Sequence, residues 1–297
     1  MNKLLIICGP TATGKTALGE HLAKKFDGEI ISADSRHVYK GIDIITGKDV
    51  PKDIPIHLID VAEPDYIFNV GEYRTLTLKA VNNVSRSGKL PIIVGGTGLY
   101  VRSILKPLED INIPPDKKLR QQLESLTKYS LQRKVSQLNP DWWKKANHSD
   151  KNNPRRLIRA IEIALSKEKR QGIKFLKFDT LIIGLTASKE YINKKIDQRV
   201  NKRLKMGALE EAKNILKKYK NPNLPAITST GIRQLKEYID GKESLPEAIK
   251  KWNLAEYQYA KRQITWFKKE KDINWFDIEN SDFIAKIEAM VLKWYTP

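Results

Sequence analysis

Gly9-Pro10-Thr11-Ala12-Thr13-Gly14-Lys15-Thr16 fits the spacing G-x-x-x-x-G-K-[ST]. An apolar run, Leu4–Cys8, precedes it and reads as a buried strand. A helical pattern, Ala17–Phe26, follows it. Strand, glycine-rich turn and helix are the setting in which such a segment cradles phosphate. Glycines let the backbone turn its N–H groups inward, and the helix N-terminus adds partial positive charge. Lys15 brings a point charge to phosphate, and the Thr16 hydroxyl can ligate Mg²⁺. The spacing leaves open which phosphate compound binds and whether a phosphoryl group moves.

Working outward, further short apolar runs appear at Glu29–Ser32, Ile56–Val61, Leu90–Val94 and Leu181–Leu185. A long amphipathic stretch, Val70–Val84, lies among them. Runs of this size between helices read as buried parallel strands. The expected fold class is therefore α/β, a P-loop NTPase-like parallel sheet core flanked by helices. Helical patterns at Lys189–Leu204, Ala208–Tyr219, Gln234–Ile239 and Leu245–Trp266 complete it. Between Ile113 and Phe178 the texture becomes polar, basic and mostly helical, with 17 basic against 6 acidic residues. The simplest organisation is a core made of 1–112 and 179–297, interrupted by a basic helical insertion over 113–178.

The chain has 297 residues, 40% apolar and 30% charged, enough for a core and unlike a disordered chain. Its net charge is +19. That excess speaks of partners, phosphate-rich ones first, and more than half of it lies in the insertion. One cysteine, Cys8, excludes a disulfide scaffold and a Cys-cluster zinc site. The run Leu4–Cys8 is too short for a signal-peptide core or a membrane span. A soluble, cytoplasmic protein is expected.

Enzymes that hydrolyse nucleoside triphosphates usually hold their metal with an acid at a strand's end. Here Leu90–Val94 runs instead into Gly95-Gly96-Thr97-Gly98. Those glycines serve either a tight turn or the close approach of a ligand to backbone. His57-Leu58-Ile59-Asp60 does end in an acid, so Asp60 is either a metal-shell residue or a turn cap. Asp34 follows the strand Glu29–Ser32 and should share the active-site edge with the P-loop. It is either a proton acceptor or metal ligand, or a cap for the next turn. Arg155 and Arg159 are spaced i, i+4 on a helix whose Ala160, Ile161, Ala164 and Leu165 supply a buried side. Lys261-Arg262-Gln263-Ile264-Thr265-Trp266-Phe267 sets cations beside rings, a mixture suited to an unstacked RNA loop. By themselves, Trp266 and Phe267 read as core.

Taken together these segments resemble the tRNA dimethylallyltransferases (tRNA isopentenyltransferases) of the bacterial type. The matching pieces are GPTATGKT, ISADSRHVYKGIDIITGK, HLIDV, PIIVGGTGLYV, NPRRLIRAIEI and YAKRQITWF, in the family's order along nearly the whole chain. The resemblance implies transfer of a dimethylallyl group from dimethylallyl diphosphate to N6 of an adenosine. That adenosine lies 3′-adjacent to the anticodon in tRNAs reading UNN codons. The diphosphate would sit on Gly9, Pro10, Thr11, Ala12, Thr13, Gly14, Lys15 and Thr16, with Mg²⁺ on Thr16. Arg199 would reach it as well. Where relatives often have a second Arg one turn earlier, this chain has Lys195, which keeps the charge without the bidentate fork.

By the same resemblance Asp34 takes the N6 proton, and Lys15, Thr16, Thr97 and Arg199 complete the catalytic set. The tRNA anticodon stem-loop would meet Asp34, Ser35, Arg36, His37 and Thr97 at the target base. Further out it would meet Arg155, Arg156, Leu157, Ile158 and Arg159, then Gly231 and Arg233, then Lys261, Arg262, Gln263 and Thr265. The chain departs from the family at Glu256-Tyr257, where Thr-Arg is common, and at Thr230-Gly231-Ile232-Arg233-Gln234. Both departures fall in the expected RNA-contact region. A monomer with no membrane contact is expected. An adenylate dimethylallyltransferase would share the P-loop and Asp34 but needs no basic RNA clamp. A small-molecule kinase is supported by the P-loop alone, and a non-catalytic RNA-binding module would not need Asp34 beside it.

Overall fold

The computed structural model describes residues 3–51, 53–107, 110–111, 113–166 and 177–296. Its sheet is built from β1 (Lys3–Cys8), β2 (Gly28–Ser32), β3 (Ile56–His57), β4 (Leu90–Gly95), β5 (Asp179–Thr186) and β6 (Asn274–Asp277). The strands pair in parallel in the order β3-β2-β4-β1-β5-β6. In β1, Leu4, Ile6 and Cys8 enter one apolar cluster, and Leu5 and Ile7 enter the other. That two-residue alternation, apolar on both sides, is why the strand must be covered on both faces. The helix Lys15–Lys25 covers one face with Leu18 and Leu22, joined by Ile287 and Val291 near the C-terminus. Helices that include Val70–Arg86, Gly98–Leu105 and Leu245–Phe267 contribute to the other cluster.

The doubly wound order fixes the position of the loops. Strand β4 lies between β1 and β2, so the loops after these three strands meet at one carboxyl edge. The order changes direction beside β1, the place where open α/β sheets bind ligands.

Two expectations change here. The strand expected over Ile56–Val61 is confined to Ile56–His57, because Leu58 and Asp60 take left-handed backbone, φ 64° and 56°. The edge strand β6 was not foreseen, since four residues ending at Asp277 carry little periodicity. Asp60 is an ion-pair partner of Lys48, which also pairs with Asp43. That pairing ties down the Val38–Lys48 segment.

The chain forms two compact units, Met1–Lys106 with Leu176–Pro297, and Pro107–Phe175. The second starts a few residues before the expected position 113, and the expected helical stretch over 167–176 lies outside the described residues. This unit is helical, with Lys117–Glu124, Lys128–Leu138 and Pro154–Leu165 as its longer elements. Pro154 opens the last helix, and the Asn153 side chain caps it by accepting from the N–H groups of Arg155 and Arg156.

Leu157, Ile158, Ala160 and Ile161 form that helix's buried face with Leu123, Leu131 and Val135. Leu157 and Ile158 were expected at the RNA, but they are core. Leu165 was expected in the core, but it is exposed. Glu162 is buried instead, and its carboxylate takes a two-pronged bond from Arg120 at 2.6 and 2.8 Å. Among the described residues no helix is long and apolar enough to cross a membrane.

Candidate active site

The helix after the P-loop starts without a cap. Gly14 precedes it at φ 76°, no side chain accepts from its first N–H groups, and no acid stands in its first turn. Some helices are closed by a side chain, such as Asn69, Ser188 or Ser244, while others, such as Gly98–Leu105, are not. The positive end of this one is left for an anion. The loop's left-handed turns are made by Gly9, φ 138°, by Ala12, φ 67°, and by Gly14. At Gly9 a Cβ would lie 2.4 Å from the Leu185 carbonyl oxygen of the neighbouring strand, so only glycine fits. Thr13 is buried, and its hydroxyl closes the turn by donating to the Pro10 carbonyl at 2.9 Å.

A cavity of about 720 Å³ opens over this loop. Thr11, Lys15, Thr16, Asp34, Lys195 and Arg199 are among its walls. The structure therefore brings the expected diphosphate residues and the expected base to one space. Lys15 donates to the Pro10 carbonyl at 2.5 Å. Burial pushes its ammonium down from 10.5 to about 8, helped by the nearby Arg199 charge and opposed by Asp34. An anion entering the cavity would offset the Arg199 charge and favour the ammonium form.

Lys195, Arg199 and Lys202 line the cavity from the helix Lys189–Lys205, one turn apart on one face. Arg199 donates to the Thr11 hydroxyl and to Glu256 Oε2, the latter at 3.3 Å. Its Nε is buried and has no hydrogen-bond partner among the described residues, an unused donor beside the cavity. Arg203 continues the stripe inward. It is 5% exposed, donates to the Thr46 carbonyl at 3.0 Å and lies 3.6 Å from Glu256. Burial and Arg199 lower it to about 10. Neither Arg203 nor Glu256 was foreseen. The i, i+4 spacing from Arg199 was the available signal for the first. For the second it was an acid on the otherwise apolar stripe of Trp252, Ala260 and Phe267.

Asp34 leaves the end of β2 and serves the turn as well. One carboxylate oxygen accepts the Arg36 N–H at 2.8 Å. Burial raises the carboxyl, but His37, the Arg36 N–H and charge, and Lys15 outweigh it and hold the acid below its ordinary value. It is a carboxylate at neutral pH. Thr97 is beside it: its hydroxyl accepts the Ser35 N–H at 3.0 Å, and its own N–H donates to the Ala33 carbonyl at 3.0 Å. His37 reaches the Thr46 carbonyl at 3.3 Å, and Arg36 donates to the Pro225 carbonyl. Arg36 thus ties the base-bearing turn to the 225 segment.

The Gly95–Gly98 turn is shaped by protein, from the helix Leu245–Phe267. A Cβ on Gly96 would lie 2.0 Å from Gln263 Nε2, and one on Gly98 2.1 Å from the Trp266 ring. Gln263 was expected at tRNA but is buried. Its Nε2 donates to the Gly96 carbonyl at 2.9 Å, and its Oε1 accepts the Thr11 N–H at 2.7 Å. Phe267 is buried as its type suggests. Lys261, Arg262 and Thr265 stay exposed on the opposite side of the helix.

Of the other expected RNA residues, Arg233 is exposed, while Gly231 is a packing position. Its φ is 99°, and a Cβ there would meet Ile45 and Trp252 at 2.8 Å. In the helical unit Arg155 and Arg156 are exposed, Arg156 pairing with Asp150. Arg159 turns inward, donating to the carbonyls of Asp110 and Ile113, both at 2.7 Å, and to Glu162 at 3.2 Å.

The cavity's donor set suits a hard cation carried in by a phosphate. Thr16 offers a hydroxyl. Among the described residues no group of three or more His, Cys, Asp or Glu could hold a metal alone. Mg²⁺ commonly binds that way, through few protein oxygens, substrate phosphates and water.

Comparison with known proteins gives a consistent picture. The IPP transferase family model matches residues 37–270. The tRNA dimethylallyltransferase of Anoxybacillus flavithermus is 38% identical over 96% of this chain and 93% of its own length. That of Pelotomaculum thermopropionicum is 37% identical over 93% and 91%. Among solved structures, the tRNA isopentenylpyrophosphate transferase of Bacillus halodurans superposes with a TM-score of 0.73. It is 31% identical, with 99% of this chain and 97% of that one covered. A eukaryotic dimethylallyltransferase acting on tRNA reaches a TM-score of 0.84 at 28% identity, over 99% and 79%.

Proposed function

The chain belongs to the IPP transferase family, and from that premise we propose a specific reaction for its β1–β4–β2 edge. The enzyme transfers a dimethylallyl group to an adenosine of tRNA. In our reading the donor is dimethylallyl diphosphate. The acceptor is N6 of the adenosine 3′-adjacent to the anticodon in tRNAs reading UNN codons. One observation supports this most strongly: an uncapped P-loop helix with Lys15 and a carboxylate, Asp34, line the same cavity, and β4 ends in glycine.

The bond that breaks is carbon–oxygen. Its electron pair leaves with the diphosphate, whose growing charge meets Lys15, Arg199 and the N–H groups of the loop. Thr16 would hold Mg²⁺ against the same diphosphate, and the ion when bound supplies further positive charge. The allylic carbon tolerates positive charge, so departure can run ahead of attack. The adenine N6 lone pair is delocalised into its ring and is a poor nucleophile. Asp34 accepts the N6 proton as the carbon–nitrogen bond forms. Thr97 holds the Ser35 N–H and so keeps the Asp34 turn in place. The adenine must leave its stack to reach this edge.

Arg155 and Arg156 on the helical unit, and Arg233, Lys261, Arg262 and Thr265 on the core, are exposed and suit an anticodon stem-loop. We place the reaction in the cytoplasm, with the enzyme acting as a monomer. The test offers labelled dimethylallyl diphosphate and Mg²⁺ with either unmodified tRNA or AMP. Label should enter tRNA at N6 of the adenosine beside the anticodon. Label entering AMP alone would overturn the reading.

A further inference from the structure

Gln263 looks from its neighbours like an RNA contact, but its side chain is enclosed between the two halves of the active site. Its acceptor takes the N–H of Thr11, in the loop that grips the leaving group. Its donor goes to the carbonyl of Gly96, at 2.7 and 2.9 Å respectively. Gly96 is followed by Thr97, whose N–H and hydroxyl fix Ala33 and Ser35 on either side of Asp34. One amide therefore stands in a path of hydrogen bonds and backbone links that runs from the phosphate loop to the turn carrying Asp34.

Only the carboxamide side chains, Gln and the shorter Asn, offer this pairing. A carboxamide carries a donor and an acceptor on one rigid plane, matching one N–H and one carbonyl. The contact is close, since a Cβ on Gly96 would lie 2.0 Å from Gln263 Nε2, so position 96 must be glycine for the amide to reach it. Prenyl transfer needs the breaking carbon–oxygen bond and the N6 nucleophile to be held in line, and small errors in that distance are costly.

We propose that Gln263 is a positioning residue that sets the separation between the diphosphate loop and Asp34, and that it makes no contact with tRNA. This rests on the reaction proposed above and deepens it. Each half-site keeps its own ligand grip without Gln263, so substrate binding should survive its loss while the chemical step suffers.

The test compares the wild-type enzyme with Gln263→Met, which removes both bonds, and Gln263→Glu, which keeps only the acceptor. We expect kcat for tRNA prenylation to fall by roughly tenfold to a hundredfold in both, the size of effect a misplacement of about 1 Å produces. KM for dimethylallyl diphosphate and for tRNA should each stay within about twofold, since neither binding surface is altered. A rise in the tRNA KM with kcat unchanged would make Gln263 an RNA contact and overturn the proposal. So would unchanged kinetics.

A measurement on the wild type needs no variant. In the ligand-free enzyme the Thr11 amide should exchange slowly with solvent, because Gln263 already holds it, and fast exchange would overturn the proposal. If the wild type itself fails to prenylate tRNA, the proposed reaction is wrong, and slow Thr11 exchange still reports on the tie.

Discussion

Glu256 Oε2 lies 3.3 Å from Nη2 of Arg199, while Glu256 Oε1 lies 3.6 Å from Arg203 and accepts from Trp252 Nε1 at 3.3 Å. One buried carboxylate thus serves two arginines on the helix that faces the cavity. Breaking a buried pair leaves an uncompensated charge, and Arg203 would be that charge. Glu256→Ala should cost about 3 kcal/mol of stability. It should show as a lower urea midpoint at unchanged m-value. Glu256→Gln, which keeps the volume and one of the two acceptors, should cost less. An unmoved midpoint in the alanine variant would remove Glu256 from this role.

Asp34→Asn keeps the acceptor for the Arg36 N–H and loses the proton acceptor. Its kcat should fall by about 10²- to 10⁴-fold, the usual contribution of a general base. Affinity for tRNA, measured by filter binding, should change little. Full activity in this variant would end the assignment of Asp34 as base.

Lys15 makes the site pH-sensitive. Its ammonium is held near 8 in the native protein, against 10.5 ordinarily. The unfolded chain binds the extra proton between those values, so native stability rises with pH across that window. Below about 8 the cost of the buried charge is present in full. An arriving diphosphate favours the charged form, so binding dimethylallyl diphosphate near pH 8.5 should take up protons. Calorimetry in two buffers of different ionisation enthalpy measures that uptake. Lys15→Met should abolish it, and equal uptake in both proteins would contradict the assignment.

The arginines of Pro154–Leu165 should divide by exposure. Replacing both Arg155 and Arg156 with Ala should weaken tRNA binding and reduce the slope of log K against log salt by about 1.5. Arg159→Ala should leave that slope alone and instead destabilise the helical unit by about 1–3 kcal/mol, because two carbonyls and Glu162 lose a donor. A salt slope that responds to Arg159 and ignores Arg155 and Arg156 would reverse the division.

These cases show what a sequence can reveal. The P-loop, the flanking β1 and the helix after it were legible because all their determinants lie within a few residues of one another. The position of Asp34 followed from its place at the carboxyl end of a strand, where parallel sheets put their active-site edge. The inward bonds of Arg159 and Gln263 were not legible, because helical spacing gives a face but not its partner. Gln263 meets Thr11, 252 positions away. Glu256 and Tyr257 looked like changes at an RNA surface. Instead Glu256 pairs with Arg199, and Tyr257 donates to Asp197, both on Lys189–Lys205. A buried acid declares its purpose only once the opposing helix is in place.

Cys8 ends β1 with no exposed surface, and burial pushes its thiol up to about 12. It is the only cysteine in the chain, so the native surface offers alkylating reagents no thiol. A single cysteine placed at exposed Arg155 or Lys261 would then take one fluorophore in one position, without first stripping the protein of its own. The residue that looks least functional makes this enzyme ready for site-specific optical reporting of RNA engagement.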